Sequence, residues 1–281
     1  MFKEKKIAFI GPGMMAQAMI AGLLRNKVAP PENLLTSGPR IERGEELKSL
    51  YGINPFTDNA EAARQADVVV FSVKPQRLDK VLQGLKGAVQ PHALVLSIVA
   101  GAPISKIVGV LDHHSVIRAM PNTPAQIGEG ITVWTAAKDV NDEQRELGRQ
   151  VLLALGKEIF VEEEDFLDKA TALSGTGPAY VYLFMEAMVD AGVHLGFSRR
   201  IAEELVVETL RGAVNFYDTP DDTRHLARLR NQVTSPGGTS AEALYYLEKA
   251  GFRTAVSRAI WAAYERSVSL GSGGRDRKTP E

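Results

Sequence analysis

Ile7-Ala8-Phe9-Ile10-Gly11-Pro12-Gly13-Met14-Met15-Ala16 is a short apolar run that stops at a glycine turn and passes into a helical pattern carried by Met15, Met19 and Leu23. The spacing is G-x-G-x-x-A. Gly11 permits a tight turn, Gly13 lets a pyrophosphate approach the backbone, and the small Ala16 lets helix and strand pack closely. A helix that starts here offers unpaired N–H groups and a partial positive charge to phosphate. The string alone is weak evidence. Following a strand, opening a helix and lying near the N-terminus, it predicts a dinucleotide site.

Outward from this stretch, the first 160 residues alternate two patterns. Apolar, strand-like runs fall at 7–10, 33–36, 68–73, 94–99 and 116–119. Polar, helix-compatible stretches at 43–50, 60–65 and 78–85 separate most of them. Two further strands are predicted at 131–135 and 158–161, flanking a helix at 142–155. This rhythm predicts an α/β fold, a mostly parallel, doubly wound Rossmann-type sheet with helices on both faces. After Glu162-Glu163-Glu164-Asp165 the rhythm changes. Val181, Phe184, Met185, Met188, Val189 and Gly192 mark a helix over 178–195, and 201–217 repeats the pattern. Thr219 and Pro220 look like the N-cap and first turn of a third helix, carried on by Leu226, Leu229 and Val233. A fourth is predicted at 241–250, closed by Gly251, and a fifth at 253–270. The predicted organisation is a dinucleotide-binding domain over 1–163, an all-helical domain over 164–270 and a disordered Gly-rich tail over 271–281. The wide apolar faces of the helices predict burial against a second subunit.

Composition narrows the function. The net charge of −1 over 281 residues gives no nucleic-acid footprint. The absence of cysteine excludes disulfides, thiolate nucleophiles and zinc–thiolate sites, and fits a reducing compartment. Met1-Phe2-Lys3-Glu4-Lys5-Lys6 runs straight into the first strand, leaving no room for a signal peptide. No run approaches the ~18 apolar residues of a membrane helix. A cytoplasmic enzyme without a metal site is the expectation. His113 and His114 are adjacent rather than at ligand spacing, and an exposed turn is predicted for them.

In a doubly wound sheet the ligand lies at the carboxyl ends of the strands. About 20 residues past the glycine turn, an NAD site usually has Asp or Glu on the ribose 2′-hydroxyl. This chain has Ser37 and Arg40 there, with Arg43 close behind. Hydroxyl plus guanidinium suits a 2′-phosphate, so NADPH is expected, with NADH possible. Lys74, before Pro75, sits beside the cofactor or caps a carbonyl. Ala100-Gly101 lets the backbone approach the nicotinamide ribose. Asn122, in Met120-Pro121-Asn122-Thr123-Pro124, bonds the carboxamide or substrate, or else stabilises its turn.

Two Gly-rich segments run directly into helices, Leu173-Ser174-Gly175-Thr176-Gly177-Pro178 and Val233-Thr234-Ser235-Pro236-Gly237-Gly238-Thr239-Ser240. Thr239 and Glu242 have capping-box spacing, which would commit the Thr239 hydroxyl to the cap. The N–H groups near Gly238 to Ser240, with the Ser240 hydroxyl, then suit a small carboxylate. From Ala170 through Glu248 there is no lysine, and the only histidines are His194 and His225. Carbonyl reduction needs a positioned proton donor for the developing alkoxide. A cyclic imine can arrive already protonated, so hydroxyls and N–H groups suffice for it.

These motifs, in this order and over nearly the whole chain, resemble pyrroline-5-carboxylate reductase. The 233–240 loop with Ala243-Leu244 and Gly251-Phe252 is the most specific part of the likeness. The resemblance implies a helical dimerisation domain, an intertwined homodimer assembled into a larger homo-oligomer, and active sites where domains and subunits meet. It implies hydride transfer from NADPH or NADH to 1-pyrroline-5-carboxylate, giving L-proline, the last step of proline biosynthesis. It also implies site roles. Gly11, Gly13, Met15, Ala16, Asn59, Lys74, Pro75, Ala100, Gly101 and Asn122 fall to the cofactor, and the reading of the residues themselves adds Met14, Ser37, Arg40 and Val73. Val233, Ser235, Gly237, Gly238, Thr239 and Ser240 fall to the substrate, with Ser240 the catalytic candidate. Two positions depart from the family pattern. Met14 stands where Asn is common, and Ser240 where Thr is frequent. Alternatives are a reductase of another cyclic imino acid and a non-catalytic NADP-sensing protein.

Overall fold

The computed structural model describes residues 4–219 and 225–271. Contacts divide the chain into two compact units, Met1–Pro178 with Ala262–Glu281, and Ala179–Trp261. The first unit opens with β1 (Ile7–Ile10), α1 (Met14–Arg25), β2 (Leu34–Ser37), α2 (Ile41–Tyr51), β3 (Asn54–Phe56), α3 (Asn59–Arg64), β4 (Val68–Phe71) and α4 (Pro75–Leu85). It continues with β5 (Leu94–Ser97), α5 (Ile104–Leu111), β6 (Val116–Met120), β7 (Gly130–Ala136), α6 (Asp142–Leu153), β8 (Gly156–Phe160) and α7 (Phe166–Ala170).

The strands form one eight-stranded sheet in the order β3-β2-β1-β4-β5-β6-β7-β8. Every pairing is parallel except β6 with β7. The order reverses between β1 and β4, which places the topological switch point where the glycine turn leaves β1. β1, β2, β4 and β5 are buried along their whole lengths. They therefore read as continuous apolar runs, because helices cover both faces. Alternate residues feed separate cores. Ile7, Phe9, Val68 and Val70 pack with α1 and α6 on one side, while Ala8, Ile10, Val69 and Phe71 pack with α3 and α4 on the other.

β3 has no counterpart in the sequence reading. It is a three-residue edge strand, Asn54-Pro55-Phe56, too short for a period and carrying a proline that only an edge tolerates. α5 was also not foreseen. β4 ends at Phe71, four residues before Pro75, and Pro75 itself opens α4 at a position where its missing N–H does no harm.

The second unit holds α8 (Gly177–His194), α9 (Arg199–Tyr217), α10 (Leu226–Gln232), α11 (Thr239–Lys249) and the first half of α12 (Phe252–Gly271). α8 meets α9 closely at Gly192, where a Cβ would lie 3.0 Å from that of Ala202. The buried core is small, Val189, Ala202 and Val206 backed by Met185, Met188, Val193 and Leu210. Tyr182, Leu183, Val214, Phe216 and Tyr246 are more than half exposed in the single chain. So broad an apolar surface calls for a covering partner. Thr219 lies just past the end of α9. Its hydroxyl donates to Phe216 O at 2.7 Å and closes α9, and α10 begins at Leu226 with His225 as its N-cap. Pro220, Asp221 and Asp222 of that expectation lie outside the described residues, as does the expected tail beyond Gly271. No helix among the described residues is long and apolar enough to cross a membrane.

Candidate active site

The glycine turn is built for close approach. Gly11 has φ +99°, and a Cβ there would lie 2.6 Å from Val73 Cγ1 and 2.9 Å from Val73 N. Ser72, unnoticed in the sequence, secures the turn, its hydroxyl donating to Gly11 O at 2.9 Å. Gly38 completes the seat, since a Cβ there would meet Pro12 Cδ at 2.6 Å. Gly13 differs. It is the N-cap of α1 in extended geometry, φ −81° and ψ −172°, with no side-chain cap, and nothing lies within 4 Å of where its Cβ would be. The first N–H groups of α1 have no intrahelical acceptor. An open cradle above unpaired N–H groups fits a pyrophosphate. Ala16 is fully buried beneath it, Met15 packs on the core, and Met14 is 68% exposed.

At the end of β2 the three expected side chains separate. Ser37 is buried and its hydroxyl donates to Asn59 Oδ1 at 2.7 Å, so its proton is committed inward. Arg43 braces the glycine turn instead of facing a ligand. Its Nε donates to Pro12 O at 3.0 Å, and it also bonds Gln17 and pairs with Glu46. Arg40 alone is exposed, its guanidinium without an ion pair or hydrogen bond among the described residues. It borders a cavity of about 330 Å³ with Pro12, Gly38, Phe56 and Thr57.

Past β4, Val73 packs against Gly11, and Lys74 is the exposed N-cap of α4, ahead of Pro75. The Lys74 ammonium touches no acceptor among the described residues, which leaves no carbonyl for it to cap. Gly101 is buried with φ +66°, and the space its side chain would fill belongs to Leu270 and Gly271. The end of α12 therefore packs where a side chain at Gly101 would stand. Ala100 beside it is half-buried. Asn122 is buried, and its Oδ1 accepts the Ile131 N–H at 3.0 Å. Its carbonyl stabilises the turn, leaving only Nδ2 for a ligand.

The first Gly-rich segment is not a loop. Residues Thr171–Gly175 form a π-helical turn between α7 and α8. The hydroxyls of Thr171, Ser174 and Thr176 all donate back to main-chain carbonyls. Gly175 makes room for Met120, whose Cε would lie 2.9 Å from an added Cβ.

The second segment is a loop of defined shape. Gly238 N–H donates to Ser235 O at 3.0 Å, with Pro236 and Gly237 between and Gly237 at φ +70°. Pro followed by a positive-φ Gly is the signature of a type II turn. A Cβ on Gly238 would lie 2.6 Å from Ser235 Oγ, so the serine hydroxyl stands in the space that this glycine leaves open. Gly238 is also the N-cap of α11, with no side-chain cap. Thr239 is therefore the first helical residue and forms no capping box, which corrects the sequence reading. Val233 is the exposed C-cap of α10. Ala241 and Glu242 N–H groups return to Gly238 O. Those of Thr239 and Ser240 have no backbone acceptor among the described residues, and the hydroxyls of Ser235, Thr239 and Ser240 make no hydrogen bond there. Two N–H groups and three hydroxyls crowd one turn, with the positive end of an 11-residue helix behind them. Among the described residues no group of three or more His, Asp or Glu is placed to hold a metal.

Residues 164–270 match a family model described as pyrroline-5-carboxylate reductase dimerisation, and residues 6–101 one described as NADP oxidoreductase, coenzyme F420-dependent. The pyrroline-5-carboxylate reductase of Synechocystis is 40% identical over 95% of this chain and 98% of its own. The chain belongs to the pyrroline-5-carboxylate reductase family. The reductase of Arabidopsis thaliana is 34% identical over 94% of this chain and 95% of its own. A crystal structure of Plasmodium falciparum pyrroline carboxylate reductase with NADP bound matches with a TM-score of 0.88 at 34% identity, covering 96% of this chain and 100% of that one. As a member of this reductase family, the chain carries its Gly-rich turn and its 233–240 loop on separate units.

Proposed function

We propose that this chain reduces 1-pyrroline-5-carboxylate to L-proline with NADPH, or NADH, as the last step of proline biosynthesis. The observation that carries the reading is the 235–238 turn, which leaves the Thr239 and Ser240 N–H groups and the Ser240 hydroxyl without partners among the described residues. NAD(P)H, when bound, supplies the hydride that the imine carbon accepts. The glycine turn and the first N–H groups of α1 hold the pyrophosphate, Arg40 faces the 2′-phosphate, and Val73, Lys74, Pro75, Ala100 and Asn122 Nδ2 border the nicotinamide half. Thr239 and Ser240 N–H groups, with the end charge of α11, bind the carboxylate. Ser240 Oγ, or a water it orients, holds the proton on the ring nitrogen. Val233, Ser235, Gly237 and Gly238 shape the loop. Catalysis is then chiefly proximity and orientation, since the iminium carbon needs no strong acid.

The family membership and the exposed apolar helices support a homodimer that assembles further into a larger homo-oligomer, located in the cytoplasm. We take 1–163 as the dinucleotide-binding domain and 164–270 as the helical one, a division that the start of the dimerisation match at 164 supports. The test is loss of reduced-nicotinamide absorbance with 1-pyrroline-5-carboxylate, beside a six-membered cyclic imine and with NADH in parallel. Turnover confined to the five-membered ring is expected. Turnover of the six-membered imine alone would move the substrate. Tight NADPH binding without turnover of any imine would make the protein a dinucleotide sensor.

A further inference from the structure

Arg118, in the middle of β6, is a buried cation that the mechanism leaves unused. Its Nη1 donates to Glu164 Oε1 and its Nη2 to Asp168 Oδ1, both at 3.0 Å. Each carboxylate has a second role. Glu164 Oε1 accepts the N–H of Ile104, the first residue of α5, at 2.8 Å. Asp168 Oδ1 accepts the hydroxyl of Ser267, on α12, at 2.7 Å, and Ser267 is 2% exposed. About one turn further along α12, Leu270 and Gly271 lie against Gly101. A Cβ on Gly101 would be 2.8 Å from Leu270 Cβ and 3.0 Å from Gly271 N.

The segment between Ser97 and Ile104 is therefore held at two points, by Glu164 at its helix end and by the end of α12 at Gly101. Both holds lead back to Arg118. A buried ion network is weak as a source of stability compared with hydrocarbon of the same volume. What it supplies here is a fixed position for a loop. That loop leaves the carboxyl end of β5, beside β4 and the switch point, where a doubly wound sheet receives its ligand.

We propose that Arg118, Asp168 and Ser267 are positioning residues for the dinucleotide. They seat the end of α12 on Gly101 and so fix the Ala100–Gly101 backbone against the nicotinamide half. The proposal rests on the reading of the Gly11–Ala16 turn as the dinucleotide site. None of the three residues touches the reacting atoms. A merely structural role would lower the melting temperature and leave dinucleotide affinity unchanged.

The test is a fluorescence titration of the full chain with NADPH, without substrate, for the wild type, Ser267→Ala, Ser267→Thr and Asp168→Asn. Amide hydrogen exchange of residues 98–104 is measured on the unliganded proteins. Asn141→Ala, which removes the capping box of α6, is the stability control. Ser267→Ala is expected to raise the NADPH Kd about fivefold, within the usual range of coupling between sites. Exchange at 98–104 quickens and KM for NADPH rises, while kcat at saturating NADPH is unchanged. Asp168→Asn moves the same way, Ser267→Thr restores the hydroxyl and the affinity, and Asn141→Ala lowers Tm only. Should Ser267→Ala not fold, Asp168→Asn carries the test alone. Unchanged NADPH Kd or unchanged exchange in a folded variant overturns the proposal. A wild type that binds no NADPH overturns the reading of the glycine turn instead.

Discussion

Gly13→Ala separates a glycine kept for a ligand from one kept for the fold. The backbone at Gly13, φ −81° and ψ −172°, is open to any L-residue, and no atom lies within 4 Å of the new methyl. Losing Gly at an N-cap costs about 0.5–1 kcal/mol. Restricting the unfolded chain returns about 0.4–1 kcal/mol. The unliganded protein should thus keep its stability to within ~0.5 kcal/mol. The methyl, however, stands in the cradle above the first N–H groups of α1. Blocking two charge-assisted hydrogen bonds to pyrophosphate, at about 1.5 kcal/mol or more each, removes about 3 kcal/mol of binding. NADPH affinity should then fall by roughly a hundredfold. Gly11→Ala is the contrast. Positive φ costs about 1–3 kcal/mol, before any clash. The 2.6 Å approach to Val73 Cγ1 adds overpacking of about 1–3 kcal/mol, so this variant should lose stability first. The assay pairs calorimetric NADPH titration with denaturant unfolding of the unliganded proteins. A Gly13→Ala protein that binds NADPH like the wild type would refute the reasoning, and so would one that unfolds as readily as Gly11→Ala.

Arg40→Ala should lower the ratio of kcat/KM for NADPH over NADH by about tenfold, because it removes a guanidinium at the end of β2 that is unpaired among the described residues; an unchanged ratio removes Arg40 from cofactor choice. Ser240→Ala should cut kcat by up to ~100-fold if its hydroxyl holds the ring-nitrogen proton, and wild-type turnover would remove it from the mechanism. His113 is buried, with its ring Nε2 at 2.8 Å from Ala93 O, and desolvation holds its pKa below the usual 6.5. Its neutral form is favoured by folding, so the stability it contributes is complete above pH 6.5 and is lost as pH falls through the folded value. Denaturant unfolding across that window should show a shallower pH slope in His113→Asn than in the wild type.

The separation of Gly13 from Gly11 shows where sequence reading ends. Both glycines were legible as a G-x-G turn, but which one meets protein and which meets open space depends on Val73, about 60 residues away. Ser37, Arg40 and Arg43 make the same point. Their types suited a 2′-phosphate, yet Asn59 engages Ser37, and Pro12, Gln17 and Glu46 engage Arg43, leaving Arg40. Gly101 was legible as a glycine of close approach, but that its side-chain space is filled by Leu270 depends on a residue near the other end of the chain. The 173–178 segment showed its glycines in the sequence, but local glycine content carries no information about back-bonding from Thr171, Ser174 and Thr176.

Local periodicity and turn chemistry by themselves determined the α/β order of the first part, the helical second part, the glycine turn and the Ser235-Pro236-Gly237-Gly238 bend. Those features depend on residues a few positions apart, and neighbours in sequence suffice to specify them. The tertiary structure alone decided which polar groups are already satisfied, that Asp168 pairs with Arg118 and Ser267, and that the end of α12 covers Gly101. The last two outcomes join residues 50 positions or more apart, and only packing brings such residues together.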